Sequence, residues 1–173
     1  MPLVGGKSSS LGELTSGTDV PVPYGFATTA HGYRHFMEVN GLNDKVNALL
    51  ATLKDPEDSE ELHRVCSQIR KIMREAPMPE DLAEDIGSSY DALAKMTGQN
   101  EPYVAVRSSA TAEDLPDASF AGEQDTYLTF AAARTLSARF KTVTHLCLLI
   151  GQLITGSSKT SHKKRLLCQL LCK

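Results

Sequence analysis

The 173-residue sequence contains no tryptophan, and aromatic residues make up only 6% of it. A second deficit is one of sign. All 21 acidic residues lie at or before Asp125, whereas residues 129–173 carry eight Lys or Arg and no acid. Two compositions are therefore joined near residue 128. Long apolar runs are also absent, since none reaches the roughly 18 residues that a membrane span needs. The opening MPLVGGKSSS turns polar after four residues, unlike the apolar core of a secretory leader. These absences predict a soluble, cytoplasmic protein with no membrane partner. Cys66, Cys147, Cys168 and Cys172 match no zinc or haem spacing, so free thiols are expected. The basic tail SSKTSHKKR lacks interleaved aromatics or a recognition motif, which argues against nucleic acid as a partner. What remains, 41% hydrophobic residues, suffices for the core of one domain.

Up to residue 128 the pattern alternates between helix and strand. GGKSSSLGELTS predicts a glycine turn and a short helix carrying Leu11 and Leu14, with Ser8, Ser9 or Ser10 as N-cap. VPVPYGFATT, punctuated by Pro21, Pro23 and Gly25, predicts an edge or entry strand. Thr28 or Thr29 then caps a helix, AHGYRHFMEVNG, with Tyr33, Phe36 and Met37 on its apolar face and Gly41 at its end. Residues 42–97 read as helical throughout. Leu42, Val46, Leu49, Leu50 and Leu53 recur at helical spacing, as do Leu62, Val65, Ile69, Ile72 and Met73 after an expected Asp55 cap and Pro56. Pro79 and the acids after it open another helix, TGQNEP is a loop, and YVAVRSSA returns to β.

Two segments carry chemistry. In LVGGKSSSLGEL, adjacent glycines allow backbone conformations closed to other residues, and Lys7 is expected just before a helix N-terminus. Backbone N–H groups and a cation at such a terminus suit a phosphate. GGK is not a Walker motif, however, and a turn with a solvated lysine fits the same residues. In VAVRSSATAEDLPDASFAG, Val104 and Val106 alternate with Ala105 in a buried strand, so Arg107 emerges at its end, where ligand-facing residues of α/β sheets lie. Its guanidinium presents a rigid fork of donors suited to phosphate. Ser108, Ser109 and Thr111 add hydroxyls, and the chain returns to a second strand containing Thr126. The alternative is a β-hairpin in which Arg107 pairs with Glu113 or Asp114.

Together, GGKSSSLGEL, VPVPYGFATTAHGYRHF and VAVRSSATAEDLPDASFAGEQDTYL closely resemble the N-terminal nucleotide-binding domain of the phosphoenolpyruvate synthase (pyruvate, water dikinase) family. Pyruvate phosphate dikinase and rifampicin phosphotransferase are relatives. The resemblance spans residues 3–128 and implies an α+β fold, the first part of an ATP-grasp nucleotide-binding domain with a helical insertion. It implies ATP as ligand, with Lys7 on the triphosphate, Arg107 neutralising phosphate charge during transfer, Gly122 allowing close backbone approach and Thr126 adding a polar contact. Tyr24-Gly25 departs from the family's more usual Pro-Gly. In the intact enzyme, ATP, pyruvate and water become AMP, phosphate and phosphoenolpyruvate through a phosphohistidine. None of His31, His35, His63, His145 and His162 sits in that phosphohistidine motif. The segment that supplies Mg2+ ligands is also expected outside this chain, as are the phosphohistidine and pyruvate-binding domains. An ATP-binding portion inactive on its own is therefore expected. The alternatives are a stand-alone nucleotide-binding or interaction module, and the corresponding part of a rifampicin phosphotransferase-like enzyme.

The resemblance stops at Leu128, and residues 129–173 are expected to be a frameshifted tail rather than a domain. If each new codon takes the last base of one codon and the first two of the next, Thr129 and Phe130 can yield Asn-Val. In the same frame, Leu148 to Gly156 can yield Phe-Thr-Asp-Arg-Ala-Ile-Asn-Tyr-Arg. Both strings are similar to the family's continuation. An out-of-frame translation would also explain the missing acids and the clustered cysteines.

Overall fold

The computed structural model describes residues 3–55, 58–107, 114–115, 118–119 and 126–129. Among the described residues, five helices precede four short strands: α1 (Gly5–Gly17), α2 (Ala30–Val39), α3 (Leu42–Ala51), α4 (Ser59–Glu75), α5 (Glu80–Thr97), β1 (Val104–Arg107), β2 (Asp114–Leu115), β3 (Ala118–Ser119) and β4 (Thr126–Thr129). β1 pairs antiparallel with β4, and β2 with β3, as separate two-stranded ladders. The described residues are thus mostly helical, with strands confined to two short ladders.

Helix α4 forms the centre of the core. Leu62, Val65, Cys66, Ile69 and Met73 recur at helical spacing and are all buried. Fully burying an apolar side chain of this size contributes about 1.5–3 kcal/mol. The helix begins at Asp58, not Asp55, because the Asp58 carboxylate accepts hydrogen bonds from the backbone N–H groups of Glu60 and Glu61. Glu61 reaches back and accepts from the N–H groups of Lys54 and Asp55, at 3.2 and 3.1 Å, which fixes the α3–α4 connection. Pro56 lies outside the described residues.

Phe36 and Met37 from α2, Leu42 and Val46 from α3, and Leu82, Ile86 and Tyr90 from α5 complete this core. Gly41 joins α2 to α3 with a left-handed φ of +57°, a conformation in which a Cβ would be strained. Gly32 brings α2 close to α5, since a Cβ there would lie 3.2 Å from Leu82 Cδ1. Between the same two helices, His35 Nε2 sits 2.8 Å from Asp81 Oδ2.

The N-terminal third differs from the expectation. Ser8, Ser9 and Ser10 are interior residues of α1, whose N-cap is Val4. VPVPYGFATT forms no strand: residues 18–29 are irregular. Pro21 and Pro23 lack the N–H groups a ladder requires, and no neighbouring strand pairs with the segment among the described residues. Thr29 is the N-cap of α2 by position, but its side chain makes no capping bond.

Candidate functional site

Strand β1 lies against the helical core on one face only. Val104 and Val106 are half-buried and packed on that core, so the pleat turns Ala105 and Arg107 to the opposite, exposed face. The strand expected to be buried is thus half-buried on its Val104 and Val106 face and exposed on the other. Its approach is fixed by Tyr90, whose hydroxyl donates to the carbonyl of Pro102 at 3.0 Å within the buried interior. β4 then pairs along β1 in the register Val104↔Thr129, Ala105↔Leu128, Val106↔Tyr127 and Arg107↔Thr126. Residues directly opposite in an antiparallel pair share a face and lie about 4.5–5.5 Å apart at Cβ. Two residues expected at the phosphate site, Arg107 and Thr126, are thereby paired in register. Position 114 pairs with Ser119 in the second ladder. Gly122, Ser108, Ser109, Thr111 and Glu113 lie outside the described residues.

Lys7 is held by a different element. It occupies the first turn of α1, not the position before it, and that turn contains no acidic side chain. Gly5 is buried and adopts a φ of +74°, the conformational freedom that the paired glycines were expected to supply. The Leu3 carbonyl accepts from Ala30 N–H at 2.8 Å, tying this turn to the start of α2. A cation in a first helical turn opposes the helix dipole, whereas an anion there is favoured by about 0.3–1 kcal/mol. Among the described residues α1 forms no packed interface with β1 or β4.

Arg107 presents an exposed guanidinium with Thr126 in register opposite it, and Lys7 stands at a helix start, so the expected donors lie on two separate elements. No group of three or more His, Cys, Asp or Glu is placed to hold a metal ion among the described residues. The described histidines include His31, whose Nδ1 lies 3.0 Å from Arg34 Nη2, and His35 beside Asp81. Asp81 is held below the usual carboxylate range, first by the Leu82 N–H and then by His35. Burial pushes the Cys66 thiol up to about 11, against the opposing charge of Arg70, and also raises Tyr33. These are signatures of packing rather than of acid–base catalysis. A shallow concavity of about 440 Å³ at the end of α5, lined by Asp91, Lys95 and Gln99 among others, includes none of the expected phosphate contacts.

Sequence reasoning missed the elements that position the ladder. The Tyr90–Pro102 bond joins an interior helical residue to an irregular segment 12 positions later, and no local pattern marks it.

Residues 1–147 match the family described as pyruvate phosphate dikinase, AMP/ATP-binding domain. The chain is 49% identical over 134 residues to a probable phosphoenolpyruvate synthase of Methanocaldococcus jannaschii, covering 78% of this chain and 11% of that protein. It is 52% identical over 128 residues to the phosphoenolpyruvate synthase of Pseudomonas aeruginosa, covering 72% and 16% respectively. With the phosphoenolpyruvate synthase of Pyrococcus furiosus it shares 41% identity over 159 residues, covering 74% and 19%. The chain thus spans about a tenth to a fifth of the length of these relatives. No described helix is long and apolar enough to cross a membrane. The chain belongs to the pyruvate phosphate dikinase AMP/ATP-binding domain family.

Proposed function

We propose that this chain is the ATP-binding portion of a phosphoenolpyruvate synthase-like kinase, built as the first part of an ATP-grasp domain and working in the cytoplasm. In the intact enzyme ATP, pyruvate and water would become AMP, phosphate and phosphoenolpyruvate. Arg107 neutralises phosphate charge with its planar fork, Thr126 adds a polar contact, Lys7 meets the triphosphate from α1, and Gly122 lets the backbone approach the nucleotide. The observation that carries this reading is the register of Arg107, on the exposed face of β1, with Thr126, in a chain whose residues 1–147 match an AMP/ATP-binding family. Mg2+ and the phosphoryl acceptor are left to parts of the enzyme beyond the described residues, so this chain alone binds ATP without turning over pyruvate.

Titration calorimetry with Mg-ATP tests it. A charge-assisted hydrogen bond contributes about 1.5–3 kcal/mol, so Arg107→Ala should weaken binding by about 10- to 100-fold. Glu113→Ala should have a much smaller effect, because an exposed ion pair contributes only about 0–1 kcal/mol. Equal affinities for the two variants remove Arg107 from the site, and turnover of pyruvate by the chain alone refutes the fragment reading.

A further inference from the structure

The chain contains four asparagines, Asn40, Asn43, Asn47 and Asn100, and only Asn40 is followed by glycine. Asn-Gly is the pair most open to deamidation, because a glycine nitrogen has no adjoining Cβ to hinder its attack on the asparagine side chain. Gly41 is not free to change, since it turns α2 into α3 with a φ of +57°, where another residue would be strained. The turn therefore carries a reactive pair by necessity. In the folded chain, every group that the reaction needs is tied. Both hydrogens of the Asn40 side-chain amide have acceptors: Nδ2 donates to the Phe36 carbonyl at 2.9 Å and to the Pro77 carbonyl at 3.1 Å. The attacking group is held as well, because the Gly41 N–H donates to the Glu38 carbonyl at 3.0 Å. Lys45 Nζ donates to the Asn40 backbone carbonyl at 3.1 Å. Pro77 lies between α4 and α5, so Asn40 bonds the α2–α3 corner to a connection 37 positions away.

We propose that Asn40-Gly41 is a fold-gated deamidation site, protected in the native state by these bonds and exposed to reaction when the α2–α3 corner opens. On opening, the Gly41 nitrogen gives its proton to hydroxide and attacks Asn40 Cγ. The new N–Cγ bond closes a succinimide ring, and the Cγ–Nδ2 bond breaks, releasing ammonia with a proton from water. Water then adds to either ring carbonyl and opens the ring to aspartate or isoaspartate. Neither product can rebuild the tie, because a carboxylate has no hydrogen to donate and sets its charge against the two carbonyl oxygens. A transient opening is thus recorded as a permanent loss of the link between the corner and Pro77. This inference does not depend on the nucleotide reading.

The intact chain is incubated at mildly alkaline pH, folded in buffer and unfolded in urea, and deamidation is followed over time by peptide mapping with mass spectrometry. In urea, Asn40 should react faster than Asn43, Asn47 and Asn100. In buffer its rate should fall by about tenfold or more, since the corner must first open. Deamidated chain, prepared in urea, refolded and separated by ion exchange on its added negative charge, should melt at a lower temperature than unreacted chain taken through the same steps. Asn40→Asp should show the same lowering, and the refolded material keeps the test decisive if that variant does not fold. Failure of the deamidated chain to refold beside unreacted chain that does is the same result in stronger form. Equal rates at Asn40 in buffer and in urea overturn the gate. Reaction in urea no faster at Asn40 than at Asn43 overturns the site itself. Deamidated and unreacted chains that melt together overturn the lost tie, by showing that the bonds to Phe36 and Pro77 hold nothing in place.

Discussion

The hydroxyl of Tyr90 donates a 3.0 Å hydrogen bond to the carbonyl of Pro102, and both residues are buried. Tyr90 belongs to the core of α5, whereas Pro102 precedes the first residue of β1 by two positions. One side chain therefore ties the helical layer to the strand that carries Arg107. Tyr90→Phe keeps the ring and leaves the Pro102 carbonyl without its donor, which costs about 1–3 kcal/mol. Urea denaturation should show that loss, and the amides of β1 should exchange faster than those of α4. A variant as stable as wild type would show that the bond contributes nothing.

Core and helix α1 should respond differently to truncation. Ile69 is 0% exposed, so Ile69→Ala is expected to destabilise the chain by about 2–5 kcal/mol. Leu14→Ala, on a side chain 40% exposed, should stay within about 0.5 kcal/mol. Similar denaturation midpoints for the two variants would contradict the observed burial.

Cys66 predicts an alkaline limit to stability. Its thiol is raised from 9.0 to about 11 by burial, so the folded state retains a proton that the unfolded state releases. Its contribution is fully present below pH 9, declines between pH 9 and 11, and is lost as pH rises through the folded value. Comparing wild type with Cys66→Ala by denaturation across that window isolates the effect, since other titrating groups are common to both. The difference should move against wild type with rising pH, and a difference independent of pH would refute the assignment.

The two cations should discriminate nucleotides by phosphate count. If Lys7 meets the triphosphate, Lys7→Ala weakens ATP binding by about tenfold or more while changing AMP affinity far less, because its charge-assisted bond has no partner in AMP. Calorimetry with each nucleotide reads this directly. Equal losses for ATP and AMP would place Lys7 near the shared part of the ligand.

The tail makes a prediction about DNA. A coding sequence whose neighbouring frame, downstream of Leu128, encodes a family-like continuation would establish residues 129–173 as frameshifted. An intact gene with no such continuation would end that reading.

Helices α4 and α5 were legible because their buried residues follow the 3.6-residue period with little interruption, from Leu62 to Met73 and from Leu82 to Leu93. The α4 cap was misplaced because DPEDSEE offers several acids, and only the backbone geometry selects Asp58 over Asp55. β-branched residues between prolines suggested a strand at VPVPYGFATT, but a strand needs a partner, and pairing is a long-range property that propensity does not contain. Arg107 and Thr126 were both visible as polar residues at strand positions. Their register was not, because 18 residues separate them and the return path sets the alignment.

In the helical body α5 closes back on α2, but α2 packs on α3, and α3 on α4, as neighbours along the chain. Contacts of such short sequence separation form quickly, while pairings that close long loops form slowly. The ladder is of the second kind, since Val104 must wait for Thr129. During synthesis, at about 5–20 residues per second, α2 to α4 can therefore collapse before β4 has been made. Ribosome-bound chains arrested after α5 clears the exit tunnel should already resist protease across α4, whereas β1 should gain protection only after residue 129 emerges. Translation thus imposes an order on this protein, in which the scaffold is finished before the arginine receives its partner.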